Sequence, residues 1–312
     1  MIKVRASLPG RWTKELAVEM KQMPGGEMHP TVEDCGNNYT QFDITADTVS
    51  SDDLMRIALV VDAIRSLPGV MRPTIILHLG YVPYARQDRI GAVGEAHGSR
   101  VMANFINVIG ADRVYIADPH SDVITSLINN VRVTTQAELL EEFVMEEHCY
   151  GAFIDVSIKA SEWILVAPDA GAVKKTEAIA KKFGFKGVVY SSKLRNIKTG
   201  KITGTNIDRV VIDGKVVDNE ELRDQKLLVV DDICDGGYTF IALAKELDLY
   251  GPARKELFVS HGIFSKGTGV LLQCFDRIRA TNCFNSLPVT EFEEISEEEL
   301  LASKVLIYPF LK

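Results

Sequence analysis

The 312-residue sequence lacks the features that mark secreted, membrane-spanning and zinc-stabilised proteins. Its five cysteines are scattered and odd in number, and no C-x-x-C pair occurs, so neither a disulfide framework nor a zinc site is expected. No stretch approaches the roughly 18 consecutive apolar residues of a membrane span. The opening residues, MIKVRASLPGRW, carry charges and a proline where a signal peptide needs an apolar run. We therefore expect a soluble cytoplasmic protein with no membrane partner.

The sequence also has no surplus of positive charge. It contains 43 acidic against 35 basic residues, a formal net charge of −8. Because nucleic-acid binders usually carry a basic surplus, no nucleic-acid partner is expected. Anionic small substrates remain possible, since a few local donors or a metal ion can overrule the global field. With 46% hydrophobic residues and ordinary glycine and proline usage, neither a collagen-like nor a disordered chain is expected.

The hydrophobic pattern alternates short apolar runs with amphipathic stretches of helical length. The apolar runs are too short for buried helices and do not alternate with polar residues, which is typical of strands covered on both faces. The pattern predicts an α/β fold with mostly parallel sheets flanked by helices. The strand-like runs are 74–79, 114–117, 163–167, 188–190, 227–230 and 257–260, and the helical stretches are 54–67, 99–109, 172–183 and 238–250.

The length predicts two domains, at about 150 residues each. The alternating pattern weakens over 138–159 and a new strand-like run follows, so we place the boundary near residue 147. The expected domains are 1–147 and 148–312. The acidic stretch 291–300, EFEEISEEEL, is interpreted as the solvated face of a helix in the tail.

The strongest candidate site is the segment 229–240, VVDDICDGGYTF. In open α/β sheets ligands bind beyond the carboxyl ends of strands, and this segment is expected to lie there. Ionised carboxylates accept hydrogen bonds from sugar hydroxyls, while glycines and a helix N-terminus can cradle a phosphate. The segment therefore predicts a pentose-phosphate site. The alternative is a turn with a helix cap, which rarely needs three carboxylates and a glycine pair together.

Two further segments suggest a metal ion and a pyrophosphate. The segment 166–175 carries Asp169 at the start of a predicted helix, where free N–H groups can hold a phosphate and the carboxylate can hold Mg²⁺. An ordinary strand–loop–helix turn is an equal alternative there. His120 follows a predicted strand between two aspartates, and metal binding and a structural role are evenly balanced for it.

Two basic segments complete the candidates. Residues 81–89, YVPYARQDR, place two arginines in one loop, where they could bind polyphosphate, although a solvated charged loop is favoured from this segment alone. Residues 191–205 carry Lys193 and Arg195, which could close over a transferring phosphoryl group. The alternative for this second segment is a mobile surface hairpin.

Taken together, these segments resemble the ribose-phosphate pyrophosphokinase (phosphoribosyl pyrophosphate synthetase) family over nearly the whole chain. Single matches are weak, whereas the ordered set is specific. The resemblance rests on 23–27 (MPGGE), 84–89 (YARQDR), 118–120 (DPH), 167–172 (APDAGA), 193–195 (KLR), 230–239 (VDDICDGGYT) and 260–262 (SHG).

The resemblance implies a reaction, a fold and an assembly. ATP and ribose 5-phosphate would give 5-phosphoribosyl 1-pyrophosphate and AMP, with Mg²⁺ as cofactor. The fold would be two phosphoribosyltransferase-like α/β domains with the site between them. A homo-oligomer is implied, a dimer or a hexamer built from dimers, because Glu27 would reach the adenine from a neighbouring subunit.

The resemblance also implies roles for individual residues. Lys193 would stabilise the transition state, and Arg195 would assist it and contact ribose 5-phosphate. The other implied residues are Gly25, Gly26, Glu27, Arg86 and Gln87 for ATP; His120 and Asp169 for Mg²⁺; Asp169, Ala170 and Gly171 for the pyrophosphate loop; and Asp231, Asp232, Asp235, Gly236, Gly237, Tyr238 and Thr239 for ribose 5-phosphate.

Several departures from the family pattern indicate a divergent member. Met23 and Gly25 stand where an aromatic residue and an aspartate are expected near the adenine, which leaves nucleotide preference open. Tyr238 replaces the last glycine of the phosphate loop. Two other functions stay open: a non-catalytic regulatory relative, and a phosphoribosyltransferase that uses the product.

Overall fold

The computed structural model describes residues 2–8, 11–35, 39–46, 50–144, 158–195, 202–283 and 305–307. The chain divides into two compact units, the first holding Met1–Thr134 and the second Thr135–Phe310. The predicted boundary at residue 147 and the acidic segment 291–300 both lie outside the described residues. Among the described residues, no helix is long and apolar enough to cross a membrane.

The first unit contains a six-stranded sheet that is mostly parallel. Its strands, in sheet order, are β2 (Arg11–Leu16), β1 (Ile2–Leu8), β5 (Gln41–Ala46), β6 (Thr74–Leu79), β7 (Arg113–Ala117) and β8 (Val131–Thr134). β5 to β8 are parallel, whereas β1 pairs antiparallel with β2 and β5. A separate antiparallel hairpin is formed by β3 (Val18–Gln22) and β4 (Met28–Val32).

Three helices connect the parallel strands of the first unit: α1 (Ser51–Arg65), α2 (Gly98–Ile109) and α3 (Asp122–Leu127). At the start of α1, the backbone N–H of Ser50 donates to the Asp53 carboxylate (3.0 Å), which caps the helix. α2 ends at Gly110, whose φ of 69° suits glycine. Apolar side chains of helices and strands form one core, in which each fully buried large residue contributes about 1.5–3 kcal/mol. The core includes Val4, Phe42, Ile44, Leu54, Ile57, Ile75, Leu77, Met102, Ile106, Val114 and Ile116.

The second unit contains an eight-stranded sheet with six parallel strands. The strands, in sheet order, are β12 (Lys215–Val217), β11 (Ile202–Ile212), β10 (Gly187–Arg195), β9 (Trp163–Ala167), β13 (Lys226–Cys234), β14 (Arg254–Gly262), β15 (Arg277–Cys283) and β16 (Val305–Ile307). β10, β9 and β13 to β16 are parallel, while β11 and β12 are antiparallel to their neighbours. All five residues of β9 are buried, as expected for a strand covered on both faces.

The helices of the second unit are α4 (Gln136–Val144), α5 (Val173–Phe183) and α6 (Tyr238–Asp248). Phe143 of α4 packs edge-to-face on Phe258 of β14, with ring centroids 5.5 Å apart. The Arg279 guanidinium lies 5.4 Å from the centroid of the Phe143 ring. α4 is therefore fixed to this sheet, although it precedes the predicted domain boundary.

The predicted α/β architecture is confirmed, with one correction that affects the site. The sequence pattern ends a strand at Val230, but β13 continues through Cys234. The reason is that β14 is equally long, so that Asp231 pairs with Val259 and Cys234 with Gly262. The strongest pair of candidate carboxylates therefore lies inside a strand and not in the turn after it.

Candidate functional site

Asp169 and Lys193 form the most tightly held ion pair of the candidate site. Asp169 lies in the loop between β9 and α5, and its Oδ2 is 2.5 Å from Lys193 Nζ. Its Oδ1 accepts hydrogen bonds from the backbone N–H groups of Gly171 (2.8 Å) and Ala172 (3.2 Å). Although burial opposes the change, the Lys193 ammonium and these two N–H donors hold the pKa of Asp169 below its ordinary value.

The position of Lys193 depends on the unequal lengths of two neighbouring strands. β10 pairs in parallel with β9 only as far as Tyr190, which lies opposite Ala167. Beyond that point β10 pairs with β11 alone, and Lys193 lies opposite Thr205. The extra length of β10 carries the lysine past the end of β9 and onto the loop that holds Asp169.

Arg195 was predicted to act with Lys193. It is the last residue of β10 and pairs with Ile202 of β11. Its side chain and residues 196–201 lie outside the described part of the chain, so its predicted role stays a prediction.

Asp231 and Asp232 place a second concentration of negative charge at the end of β13. Low access to solvent raises the pKa of Asp231 well above its usual range, and the charge and hydrogen bonding of Asp232 raise it further. Asp169 adds to the same effect, so the three predicted carboxylates lie close enough to interact. The Asp231–Asp232 pair therefore keeps a proton at a higher pH than an isolated aspartate does.

Cys234 follows these carboxylates, but its thiol is not expected to react. The thiol is fully buried, and burial together with Asp231 and Asp235 raises its pKa to about 12. A thiol that stays protonated at physiological pH is a poor nucleophile.

Residues 235–239, named here the anion loop, connect β13 to the N-terminus of α6. Gly237 is the cap residue of α6 with φ 78°, and a Cβ there would lie 3.0 Å from Leu271 Cδ2. No acidic residue lies in the first turn of α6. The positive end of the helix is therefore not neutralised by an acidic side chain in its first turn, which suits an anion there. The predicted binding of a phosphate by Asp235, Gly236 and Thr239 stays a prediction.

Tyr238 stands where the family pattern has the last glycine of the phosphate loop, and the structure shows how the loop accommodates its ring. Its side chain is 72% exposed at the first position of α6. The ring lies against Gly236, where a Cβ would be 3.3 Å from Tyr238 Cε2. Tyr238 therefore forms a wall of the anion loop and does not fill it.

A second segment that lies beside the anion loop was not predicted from the sequence. Residues 263–271, named here the cover segment, follow β14 and lie beside the loop. The Ser265 backbone N–H donates to Asp235 O (3.2 Å), and its hydroxyl donates to Asp235 Oδ1 (2.7 Å). A signal was present, because the cover segment also follows the carboxyl end of a strand.

In the first unit, Gly25, Gly26 and Glu27 form the exposed turn between β3 and β4. The Gly26 N–H donates to Met23 O, and the Met23 N–H donates to Glu27 O, both at 2.8 Å. Gly26 has φ 94°, a conformation that side chains with a Cβ rarely adopt. Met23 is 42% exposed, so a flexible apolar side chain lies next to this turn.

Arg86 and Gln87 lie in the loop between β6 and α2, and both are exposed. The Gln87 N–H donates to Tyr84 O (2.9 Å), and the Ser99 N–H donates to Gln87 O (3.1 Å). A Cβ at Gly98 would lie 2.3 Å from Gln87 Oε1 and 2.9 Å from Gln87 Cβ, so a larger residue where α2 begins would displace Gln87. The loop therefore holds Gln87 closely against the start of α2 and presents Arg86 at the surface.

His120 follows β7, as predicted. Its side chain is exposed, whereas Asp118 is buried. The Asp118 N–H donates to Thr134 O (2.8 Å). The described residues contain no group of three or more His, Cys, Asp or Glu side chains arranged to hold a metal ion. Mg²⁺ in proteins is usually held by one or two carboxylates together with substrate oxygens. The Asp169 carboxylate suits Mg²⁺ chemically if Lys193 moves away from Asp169 Oδ2.

Comparisons with known proteins agree on one family. A phosphoribosyl transferase domain family matches residues 138–281. The chain is 25% identical to the ribose-phosphate pyrophosphokinase of Pyrococcus furiosus over 285 residues, covering 90% of each chain. It is 24% identical to that of Thermococcus kodakarensis over 288 residues, covering 91% of each. The fold is similar to the phosphoribosylpyrophosphate synthetase of Mycobacterium smegmatis, with a TM-score of 0.67 and 22% identity over 94% of this chain and 85% of that one.

Proposed function

Since the chain is a divergent member of the ribose-phosphate pyrophosphokinase family, we propose that it transfers the diphosphoryl group of ATP to the 1-hydroxyl of ribose 5-phosphate. The ribose O1 attacks the β-phosphorus, the bond from that phosphorus to the oxygen shared with the α-phosphorus breaks, and AMP leaves with this oxygen. The hydroxyl proton is released, and the products are 5-phosphoribosyl 1-pyrophosphate and AMP. The observation that carries the proposal is the cluster of Lys193, Asp169 and Asp231 beside the anion loop.

Asp231 and Asp232 are proposed to bind the ribose hydroxyls. A carboxylate accepts hydrogen bonds from adjacent hydroxyls, and a protonated carboxyl can also donate one. The raised pKa of Asp231 makes the pair suited to do both. The anion loop, from Asp235 to Thr239, is proposed to hold the 5-phosphate against the N-terminus of α6.

Lys193 is proposed to neutralise the charge that develops on the transferring diphosphoryl group. Such reactions depend on positioning and charge stabilisation more than on a strong base. In this structure the Asp169 carboxylate accepts from Lys193 and from the Gly171 and Ala172 N–H groups, the kinds of donor that also bind phosphate. We propose that a substrate phosphate takes over these donors, with Ala170 completing the pyrophosphate loop and Arg195 assisting.

Mg²⁺ is proposed as the cofactor, held by Asp169 and His120 together with substrate oxygens. When bound, it would neutralise phosphate charge. The chain's own part is to supply hard oxygen and imidazole ligands at loops that follow β7 and β9.

ATP is proposed to bind the loop of Arg86 and Gln87 and the turn of Gly25, Gly26 and Glu27. An exposed guanidinium can pair with phosphate oxygens in a bidentate way. Glu27 is proposed to act on the nucleotide of a neighbouring subunit, which makes the working form a homo-oligomer, a dimer or a hexamer built from dimers.

The experiment follows nucleoside monophosphate by chromatography after mixing purified protein, Mg²⁺ and ribose 5-phosphate with ATP, GTP or CTP in turn. AMP formation that requires ribose 5-phosphate supports the proposal, and the nucleotide ranking reports the effect of Met23 and Gly25. Absence of any monophosphate, in a folded protein that binds ribose 5-phosphate, favours a regulatory relative. Release of pyrophosphate from 5-phosphoribosyl 1-pyrophosphate and a base, without AMP, identifies a phosphoribosyltransferase instead.

A further inference from the structure

The cover segment is fixed to the anion loop by backbone and side-chain hydrogen bonds. The N–H groups of Ile263 and Phe264 both donate to Cys234 O, at 2.9 and 3.1 Å. Ser265 adds two hydrogen bonds to Asp235, one from its N–H and one from its hydroxyl. The residue that follows Ser265 is therefore held at a defined place beside the loop.

That residue is Lys266, and its side chain lies over Gly236. A Cβ on Gly236 would lie 3.9 Å from Lys266 Cγ and 3.3 Å from Tyr238 Cε2. The Tyr238 ring and the Lys266 stem thus both lie beside Gly236. The remaining methylene groups of Lys266 are long enough to bring its ammonium group above the loop backbone.

Lys266 also supplies a charge that the loop otherwise lacks. It is the one cationic side chain in the anion loop and the cover segment, both of which the structure describes in full. It is exposed, and no carboxylate among the described residues forms an ion pair with it. A sugar phosphate near neutral pH carries most of two negative charges. The nearby carboxylates of Asp231, Asp232 and Asp235 repel such an anion, so a cation at the loop has a clear electrostatic effect.

We propose that Lys266 is a phosphate-binding residue that places its ammonium group on the anion held by residues 235–239. The inference rests on the proposed function and deepens it, since the anion in question is the 5-phosphate of the pentose. The Tyr238 ring also lies beside Gly236, so the proposed phosphate position is bordered by the ring, the lysine and the first turn of α6.

The test measures ribose 5-phosphate binding by isothermal titration calorimetry at low and high salt, in wild-type protein and three variants. Lys266→Ala should weaken binding roughly tenfold to a hundredfold, the usual effect of losing a hydrogen bond to a charged group. Lys266→Arg should retain most of the affinity because it keeps the charge. Lys245→Ala is the matched control, since it removes an exposed lysine from the last turn of α6, away from the loop, and should change nothing.

Salt dependence separates a direct phosphate contact from a structural effect. Wild-type affinity should fall more steeply with salt than Lys266→Ala affinity does. Equal affinity and equal salt dependence in Lys266→Ala would overturn the assignment and leave the proposed reaction standing. Lysine-dependent binding in a protein that forms no AMP would support the assignment and overturn the reaction. A wild-type protein that binds no ribose 5-phosphate would overturn both.

Discussion

Lys193 Nζ lies 2.5 Å from Asp169 Oδ2, and both side chains are largely shielded from solvent, with 20% and 28% of their surfaces exposed. The pair joins the end of β10 to the loop after β9. Because the other oxygen of Asp169 accepts two backbone hydrogen bonds, the carboxylate is surrounded by positive groups in the way a bound phosphate would be. Under the proposed function, we expect Lys193 to exchange the Asp169 carboxylate for a substrate phosphate.

Replacing Lys193 with alanine should lower turnover by orders of magnitude while ribose 5-phosphate binding stays largely intact. The reason is that the ammonium group acts mainly on charge that develops during transfer. Steady-state kinetics and calorimetric binding measure the two effects separately. Lys215→Ala is the control, since it removes an exposed lysine from the edge strand β12 of the same sheet. Unchanged turnover in Lys193→Ala would remove this residue from the mechanism.

Replacing Asp231 with asparagine should weaken ribose 5-phosphate binding roughly tenfold or more, because an amide NH2 group takes the place of one carboxyl oxygen and cannot accept from a sugar hydroxyl. Calorimetric titration measures the effect. An unaltered affinity would show that the sugar is bound elsewhere.

The same variant should be more stable than wild type at neutral pH when no magnesium is present. The pKa of Asp231 is raised in the folded state, so the folded protein binds this proton more tightly than the unfolded chain does. Wild-type stability therefore falls as pH rises from the ordinary aspartate pKa to the raised one, and Asp231→Asn escapes that loss. Thermal unfolding should show a gain in Tm at pH 7 that disappears below the ordinary aspartate pKa. A gain that persists at low pH would assign the effect to packing instead of charge.

Replacing Gly237 with alanine should destabilise the protein and weaken phosphate binding. Its φ of 78° costs an L-residue roughly 1 to 2 kcal/mol, and the new Cβ would lie 3.0 Å from Leu271. Gly214→Ala is a matched control, because φ is 75° there and no atom lies within 4 Å of the added Cβ. Denaturant unfolding of both variants should show the larger loss for Gly237→Ala. Equal decreases in the free energy of unfolding would mean that the Leu271 side chain moves away from the new Cβ without destabilising the protein.

Replacing Glu256 with alanine should lower the free energy of unfolding by about 3–5 kcal/mol, since it leaves buried arginine unpaired. Glu256 is fully buried and accepts from Arg279 Nε at 2.7 Å, and its other oxygen lies 2.7 Å from Arg254 Nη2. Glu33→Ala is the contrasting variant. It breaks an exposed ion pair with Lys14 and should change stability little. Chemical denaturation of the two variants compares them directly, and similar losses would contradict the argument.

Hydrophobic patterning predicted six strands of the two sheets and four of the helices, because runs such as 74–79 and 163–167 are strongly apolar and are followed by clear turn residues. It did not predict the parallel strands β8 and β15. It also did not predict strands β1 to β5, which precede the first helix. Their apolar residues alternate with polar ones over only five to seven positions, as in QFDITA of β5, and no helix separates most of them. Sequence periodicity is weakest for such short alternating segments.

The sequence was sufficient to select the candidate site residues. It was not sufficient to predict which of their side chains contact one another. Strand-end logic identified Asp169, Asp231 and the anion loop, since each follows a strong apolar run. The Lys193–Asp169 pair depends on how far β10 extends beyond β9, and strand length is fixed by pairing with distant residues. The place of Lys266 depends likewise on hydrogen bonds between segments that are well separated along the chain.

The overhang of β10 has a mechanical consequence. Up to Tyr190 the backbone of this strand pairs with two neighbours, and from Ser191 onward it pairs with β11 alone. Lys193 thus lies on a two-stranded extension of β10 and β11, which the parallel strands of the sheet support at its base. A movement of this two-stranded extension changes the position of Lys193 and leaves the backbone hydrogen bonds between β9 and β10 intact. Substitutions in the parts of β10 and β11 that pair beyond Tyr190 can therefore change how firmly Lys193 is held without disturbing the parallel strands that keep the unit folded.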